Sequence, residues 1–328
     1  MTTGHELRAT ADSDDNATSD LLPLGPPRPR VQPDEVIDAA PTVSRARRHA
    51  RRARLLFLAT CASTLFVGVV FFGSWLYAPA LLSILVSHEL GHLAAARRHG
   101  IPASPPFFLP LPLPPFGTLG AVIGLDMRRA SRRALFDVAV AGPLAGLVPT
   151  VACLWLGAVF GRALESHAAF PVVASSPLFE ALLAAEFPTS ASAPGNALIY
   201  AGWVGLFITS LNLLPIGQLD GGHLLHALMP RLATTVSNAV LLLWILAAIA
   251  FGWWWWLPMI LLIILFARRH PPVPRQRLDW RRHALGWATL ALLPATFLPE
   301  PLPPIDDPAE VMLEADQTAA LGIGERSP

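Results

Sequence analysis

The sequence predicts an all-α multi-pass membrane protein of about six or seven transmembrane helices, with a short Pro/Gly-rich extended or β segment between the second and third. Three observations lead there. Hydrophobic residues make up 53% of the 328 and charged residues only 14%, against roughly 25% charged in a soluble domain, so most of the surface does not face water. The apolar residues fall in long runs separated by arginine clusters. Nine Pro and Gly residues between Pro102 and Gly120 forbid a helix in that one stretch. This composition excludes an ordinary cytosolic enzyme, a coiled coil and a disordered scaffold.

The elements follow in chain order. Residues 1–44 are rich in Pro, Asp, Ala and Thr without an apolar period, which predicts a disordered cytoplasmic tail. Its first twenty residues are polar and acidic and do not form a signal peptide. After the cluster Arg45 to Arg54, the forty-two residues Leu55 to Ala96 contain only His88, Glu89 and His92 as acidic, basic or imidazole side chains. As one helix they would measure about 63 Å, twice the hydrocarbon thickness, so a hairpin is expected with its break at Gly73–Pro79. Residues 134–161 form a third span, and 162–196 a loop with Glu165, Glu180 and Glu186 against a single Arg162. A fourth span starts near Ala197 and breaks at Pro215. Residues 234–267 read as a second hairpin turning at Gly252–Trp256, whose Trp run suits an aromatic belt. A marginal apolar segment, 284–298, precedes a tail with seven acids and one Arg.

With the N-terminus in the cytoplasm, the Arg clusters at 45–54, 97–98, 128–133, 268–269 and 275–282 all fall inside, and the acid-biased loop falls outside. The expected location is an integral position in a bilayer, a bacterial inner membrane. All 24 basic residues are Arg and the net charge is +1. No basic patch interleaved with aromatics lies outside short loops, so nucleic acid is not an expected partner. Cys61 and Cys153 lie in apolar runs, which excludes a disulfide framework and a Cys-based zinc site.

Ionisable residues inside an apolar span are costly and are functional candidates. His88-Glu89-Leu90-Gly91-His92 is an H-E-x-x-H pattern late in the second span. The i, i+4 spacing puts both imidazoles on one helix face, able to grip one Zn²⁺, with Glu89 placed as general base. The similar His5-Glu6-Leu7 has Ala9 at its fifth position and therefore no second ligand. A catalytic zinc needs a third protein ligand. Asp220 stands out, in Asn212-Leu213-Leu214-Pro215-Ile216-Gly217-Gln218-Leu219-Asp220-Gly221-Gly222, where Pro215 and Gly217 break the fourth span. Broken helices at membrane depth occur where they line a site.

The pairing of His88-Glu89-x-x-His92 with Asn212-x-x-Pro215-x-x-x-Leu219-Asp220-Gly221 resembles the site-2 protease family of intramembrane zinc metalloproteases. Pro115 to Ile123 is similar to that family's Gly-containing stretch, and Ala141-Gly142-Pro143-Leu144-Ala145-Gly146 to another of its signatures. The resemblance covers about 55–230. It implies that His88, His92 and Asp220 ligate one zinc per chain, that Glu89 is the general base, and that Asn212 steadies the oxyanion. It also implies a zinc within the bilayer depth, nearer the cytoplasmic side, and substrates that are membrane proteins with a transmembrane helix. On that reading 45–230 is the metalloprotease core, 231–298 holds the C-terminal transmembrane helices, and 299–328 is an acidic tail.

Thr118–Ile123 is expected to run extended. As an edge strand, Gly117, Thr118, Leu119 and Gly120 would hold an unwound substrate by strand addition. Two competing readings use the same residues: a silent relative that binds membrane helices without cutting them, and a metal transporter. Asp137 and the histidines 99, 226, 270 and 283 read as interfacial, and the Trp-rich region 244–287 as lipid anchoring.

Overall fold

The structure is a computed structural model that describes residues 43–114, 116–127, 130–164, 176–183, 196–254, 256–266 and 276–297. The tail up to residue 42, most of the 162–196 loop with Glu165 and Glu186, Arg128, Arg129 and the acidic tail lie outside the described residues. The chain is mostly helical, in the order α1 Val43–Phe72, α2 Tyr77–Arg98, β1 Phe107–Pro110, β2 Thr118–Val122, α3 Arg132–Leu164, α4 Pro177–Leu183, α5 Ala197–Leu213, α6 Asp220–Leu228, α7 Ala233–Ala250, α8 Trp256–Phe266 and α9 Trp280–Thr296. The helix α1 begins inside the segment expected to be a tail.

The turns sit at the predicted breaks. Gly73 closes α1 with φ +69 and Gly252 closes α7 with φ +70, a left-handed conformation that favours glycine. Among the described residues three helices are long and apolar enough to cross a membrane by length and composition: 48–72, 132–160 and 233–250; α5 is a shorter apolar helix. The helix α2, with three ionisable groups in its second half and Arg97 and Arg98 in its last turn, falls outside that set.

The core is built around α3, which packs on α2, α5 and α6. The α2–α3 contact is close because the residues facing each other are small. A Cβ on Gly91 would strike the Ala141 carbonyl oxygen and come within 2.7 Å of the Ala145 Cβ, the small-residue packing that lets membrane helices approach. At the start of α5, Asn196 accepts from the Leu198 and Ile199 N–H groups at 3.1 and 3.0 Å and donates to the Gly157 carbonyl at 3.0 Å. One side chain thus caps α5 and ties it to α3.

An aromatic spine runs through the other side of the core. Phe72 packs on Tyr200 at 4.7 Å, Tyr200 stacks on Trp203 at 5.4 Å, and Trp203 on Phe207 at 6.1 Å. Phe207 stacks on Phe116 at 5.3 Å and meets Trp256 at 5.8 Å; Trp256 stacks on Phe297 at 5.6 Å. Trp244 and Trp256 are therefore core residues, the latter 1% exposed, and not lipid anchors. Trp254 and Trp280 remain exposed, at 62% and 74%.

The expected strand is β2, and it pairs antiparallel with β1 in a two-stranded sheet. The loop before β2 is held by α1 and the start of α2. Ser63 donates to the Gly117 carbonyl at 2.7 Å and the Tyr77 hydroxyl to the Phe116 carbonyl at 2.9 Å. At the other end of the chain, Asp279 caps α9 by accepting the Arg282 N–H at 2.8 Å. That backbone bond holds its carboxyl below the ordinary value.

Candidate metal centre

The fold brings His88, His92 and Asp220 to one point. His88 Nε2 and His92 Nε2 are 3.1 Å apart, and each lies 3.2 Å from Asp220 Oδ2. The two imidazoles come from successive turns of α2. Asp220 comes from the first residue of α6, 128 positions beyond His92. Its approach depends on Gly221 and Gly222. A Cβ on Gly221 would collide with the Leu213 carbonyl, and one on Gly222 would lie 2.5 Å from the Gly217 oxygen and 2.8 Å from the Ile216 oxygen. The Pro215–Gly217 break thus folds the chain back so that α6 starts against the end of α5.

The geometry suits a tetrahedral zinc. Donors about 2.0–2.1 Å from such an ion lie about 3.3 Å from one another, close to the observed triangle. The tautomer agrees as well. His92 Nδ1 donates to the Val138 carbonyl at 2.9 Å, and a carbonyl only accepts, so the Nδ1 carries the proton and a neutral ring turns its Nε2 lone pair inward. A histidine ligand whose other nitrogen is bonded in this way is held in position for a metal. The lone pair, the second imidazole and the carboxylate oxygen converge on a point that a cation stabilises.

Helix α3 forms the floor. The His92 ring rests between Val138 and Gly142, and a Cβ on Gly142 would overlap that ring. A Cβ on Gly146 would stand 3.1 Å from His88 Cβ. The Ala141–Gly146 stretch noted in the sequence therefore has a physical reason: it leaves room for the imidazoles.

Glu89 is 7% exposed, and its Oε2 has no hydrogen-bond partner among the described residues. An unpartnered carboxylate oxygen in a buried site is costly, which makes Glu89 a functional candidate. The Asn212 amide Nδ2 lies 3.4 Å from His88 Nε2, so the amide stands beside the triangle. The Gly117–Gly120 segment is anchored by Ser63 of α1 and, through Phe116, by Tyr77 at the start of α2. Within it Leu119 is 63% exposed, and β2 has no second strand partner among the described residues.

Two contributions have no clear sign in the sequence: the Val138 carbonyl and a group of polar bonds at one end of the bundle. There Asp137 accepts from His99 at 2.9 Å and from the Arg282 guanidinium at 2.8 and 2.9 Å. His226 is buried and bonds the Gly222 carbonyl at 2.8 Å, so it is a core histidine and not an interfacial one.

The sequence pattern of Peptidase family M50 matches residues 76–253. Among curated proteins, the chain is 32% identical over 156 residues to "Probable zinc metalloprotease EGY1, chloroplastic" of Oryza sativa subsp. japonica, covering 44% of this chain and 26% of that protein. It is 31% identical over 187 residues to "Probable zinc metalloprotease EGY2, chloroplastic" of Arabidopsis thaliana, covering 53% and 33%. It is 33% identical over 154 residues to the EGY1 protein of Arabidopsis thaliana, covering 44% and 27%. The chain thus spans about a quarter to a third of the length of these relatives. Their names place them in chloroplasts, so the expected bacterial inner membrane gains no support from them.

Proposed function

Because the chain belongs to peptidase family M50, we propose that it is a membrane-embedded zinc endopeptidase that cuts peptide bonds within or next to transmembrane segments of other membrane proteins, the chemistry of regulated intramembrane proteolysis. The observation that carries this reading is the triangle of His88, His92 and Asp220 with the unpartnered Glu89 oxygen beside it. Those three side chains would hold one zinc per chain, which would supply a Lewis acid for the scissile carbonyl and for deprotonation of water. Glu89 takes the proton from the attacking water on its Oε2 and returns it to the leaving amine. The Asn212 amide donates to the oxygen on which negative charge develops. A helical peptide bond is shielded by its own hydrogen bonds, so the substrate must unwind, and the open edge of β2 at Gly117–Gly120 is where an unwound strand adds.

The experiment is metal removal from the purified chain in liposomes, beside a membrane protein with a single transmembrane helix. Wild type is expected to hold about one zinc, to cut, to stop when a chelator strips the metal, and to recover when zinc returns. Asp220→Ala, His88→Ala and His92→Ala each lose metal, since one of three ligands is worth several of the about 10–16 kcal/mol of a full site. Full occupancy in Asp220→Ala would remove it from the ligand set, and cutting that persists without metal would sink the reading.

We read α1, α2, α3, α5, α7 and α8 as six spans and α9 as a seventh. Arg282 sets the start of α9 beside Asp137, in the second turn of α3, while α9 also packs on α4, which follows the far end of α3. Its 17 residues measure about 26 Å, close to the hydrocarbon thickness. The tail then emerges opposite the N-terminus. In a Cys61→Ser, Cys153→Ser background, Glu310→Cys is expected to react with an impermeant maleimide from that opposite side. Failure to label there would leave six spans.

A further inference from the structure

Helix α6 carries a ligand but is short. Its nine residues fall below the length at which a helix is stable alone, so its register comes from what grips its two ends. At its first turn, Gly221 and Gly222 fit against the 213–217 break. At its last turn, Arg132 does the gripping. Arg132 Nε donates to the Ala227 carbonyl at 2.6 Å and Nη2 to the Leu228 carbonyl at 2.9 Å, two of the terminal carbonyls that have no partner within the helix. Its cation also sits at the negative end of the helix dipole. Nη1 donates to the Gln276 carbonyl at 2.7 Å, in the segment leading to α9.

Arg132 is the first residue of α3, the helix that receives the His92 ring through Val138 and Gly142. The helix that orients two ligands thus also fixes the far end of the helix that brings the third. A slip of α6 by one residue would turn Asp220 by about 100°, away from the imidazoles. We propose that Arg132 is a positioning residue of the metal centre: by holding the α6 carbonyls it keeps the Asp220 carboxylate in register with His88 and His92. This rests on the reading of those three side chains as ligands.

The test is metal affinity, measured by titrating Zn²⁺ against a chromophoric chelator and Co²⁺ by its visible absorption, on the full chain in detergent. Arg132→Gln is expected to raise the apparent dissociation constant about 10–100-fold, the loss usual when a group that orients a ligand is removed. Arg132→Lys, which keeps the charge and one donor point, falls between and carries the comparison if the Gln variant does not fold. In an Asp220→Ala background, which leaves the histidine pair, adding Arg132→Gln changes affinity by less than about twofold, since the ligand it positions is gone. Wild-type affinity in the single Arg132 variants overturns the inference, as does an equal loss with and without Asp220, which would assign Arg132 a purely structural role. A wild-type chain that takes up neither metal overturns the reading of the ligands, and this inference with it.

Discussion

Replacing Glu89 by Gln is expected to leave zinc content at the wild-type level while cleavage falls by about 10²–10⁴-fold, the range general-base catalysis supplies. The substitution keeps the shape of the side chain and removes its basic oxygen. Metal content holds because the three donors at 3.1–3.2 Å from one another do not include Glu89. On the proposed mechanism activity falls because the Oε2, buried and unpartnered among the described residues, is the atom that would take the proton. The variant should therefore still bind a substrate helix and retain it. Fragment yield from liposomes carrying each variant, with zinc measured on the same sample, decides the matter. Retention of more than about a tenth of the wild-type rate would remove Glu89 as the base. A silent binder yields no fragment from either protein, and a transporter shows altered metal flux instead.

Gly142→Ala is expected to weaken metal binding with a change of one methyl group. Alanine is the better helix former by about 1 kcal/mol, so on the helix alone the substitution would stabilise. The methyl would overlap the His92 ring, however, and that ring is pinned on its other side by the bond to Val138 at 2.9 Å. The imidazole must rotate, which breaks that bond and takes Nε2 out of the triangle. Zinc affinity is expected to fall at least 10–100-fold, and cleavage at limiting zinc with it. Gly146→Ala is the control: its Cβ stands 3.1 Å from His88 Cβ and 3.3 Å from Nδ1, a contact that a shift of a few tenths of an ångström relieves. Wild-type zinc retention after dialysis in Gly142→Ala would show that the ring has room to move aside without leaving the triangle.

Much of this site is legible in the amino-acid sequence alone. The i, i+4 histidines lie on one helix face because of helix geometry, and Asp220 stands out because a carboxylate after a Pro-Gly break has few other reasons to sit in an apolar region. The hairpin turns are legible from Gly73 and Gly252 for a similar reason: only a breaker lets an overlong apolar run return across a bilayer. What is not legible depends on contacts between distant residues. Strand β1 hides in Phe107–Pro110, where proline signals argue against a strand. The partners of Arg132 are backbone carbonyls, which leave no mark on a sequence. The need for Gly142 appears only when His92, fifty residues earlier, is laid upon it. Composition likewise does not say which way a tryptophan points, so Trp244 and Trp256, core residues, look in the sequence like their exposed neighbours.

The placement of α9 bears on the order in which the protein is made. Asp220, the last of the three ligands, leaves the ribosome 77 residues before Phe297. At about 5–20 residues per second, that interval is about 4–15 s. Within it, Arg132 lacks the Gln276 carbonyl for the first 56 residues, Asp137 lacks Arg282 for the first 62, and Trp256, once made, lacks the ring of Phe297 until the end. A nascent chain therefore carries all three of His88, His92 and Asp220 for seconds before the bundle is closed at both ends. The bundle around His88, His92 and Asp220 is thus closed by α9, the last described helix, long after the H-E-x-x-H segment is made.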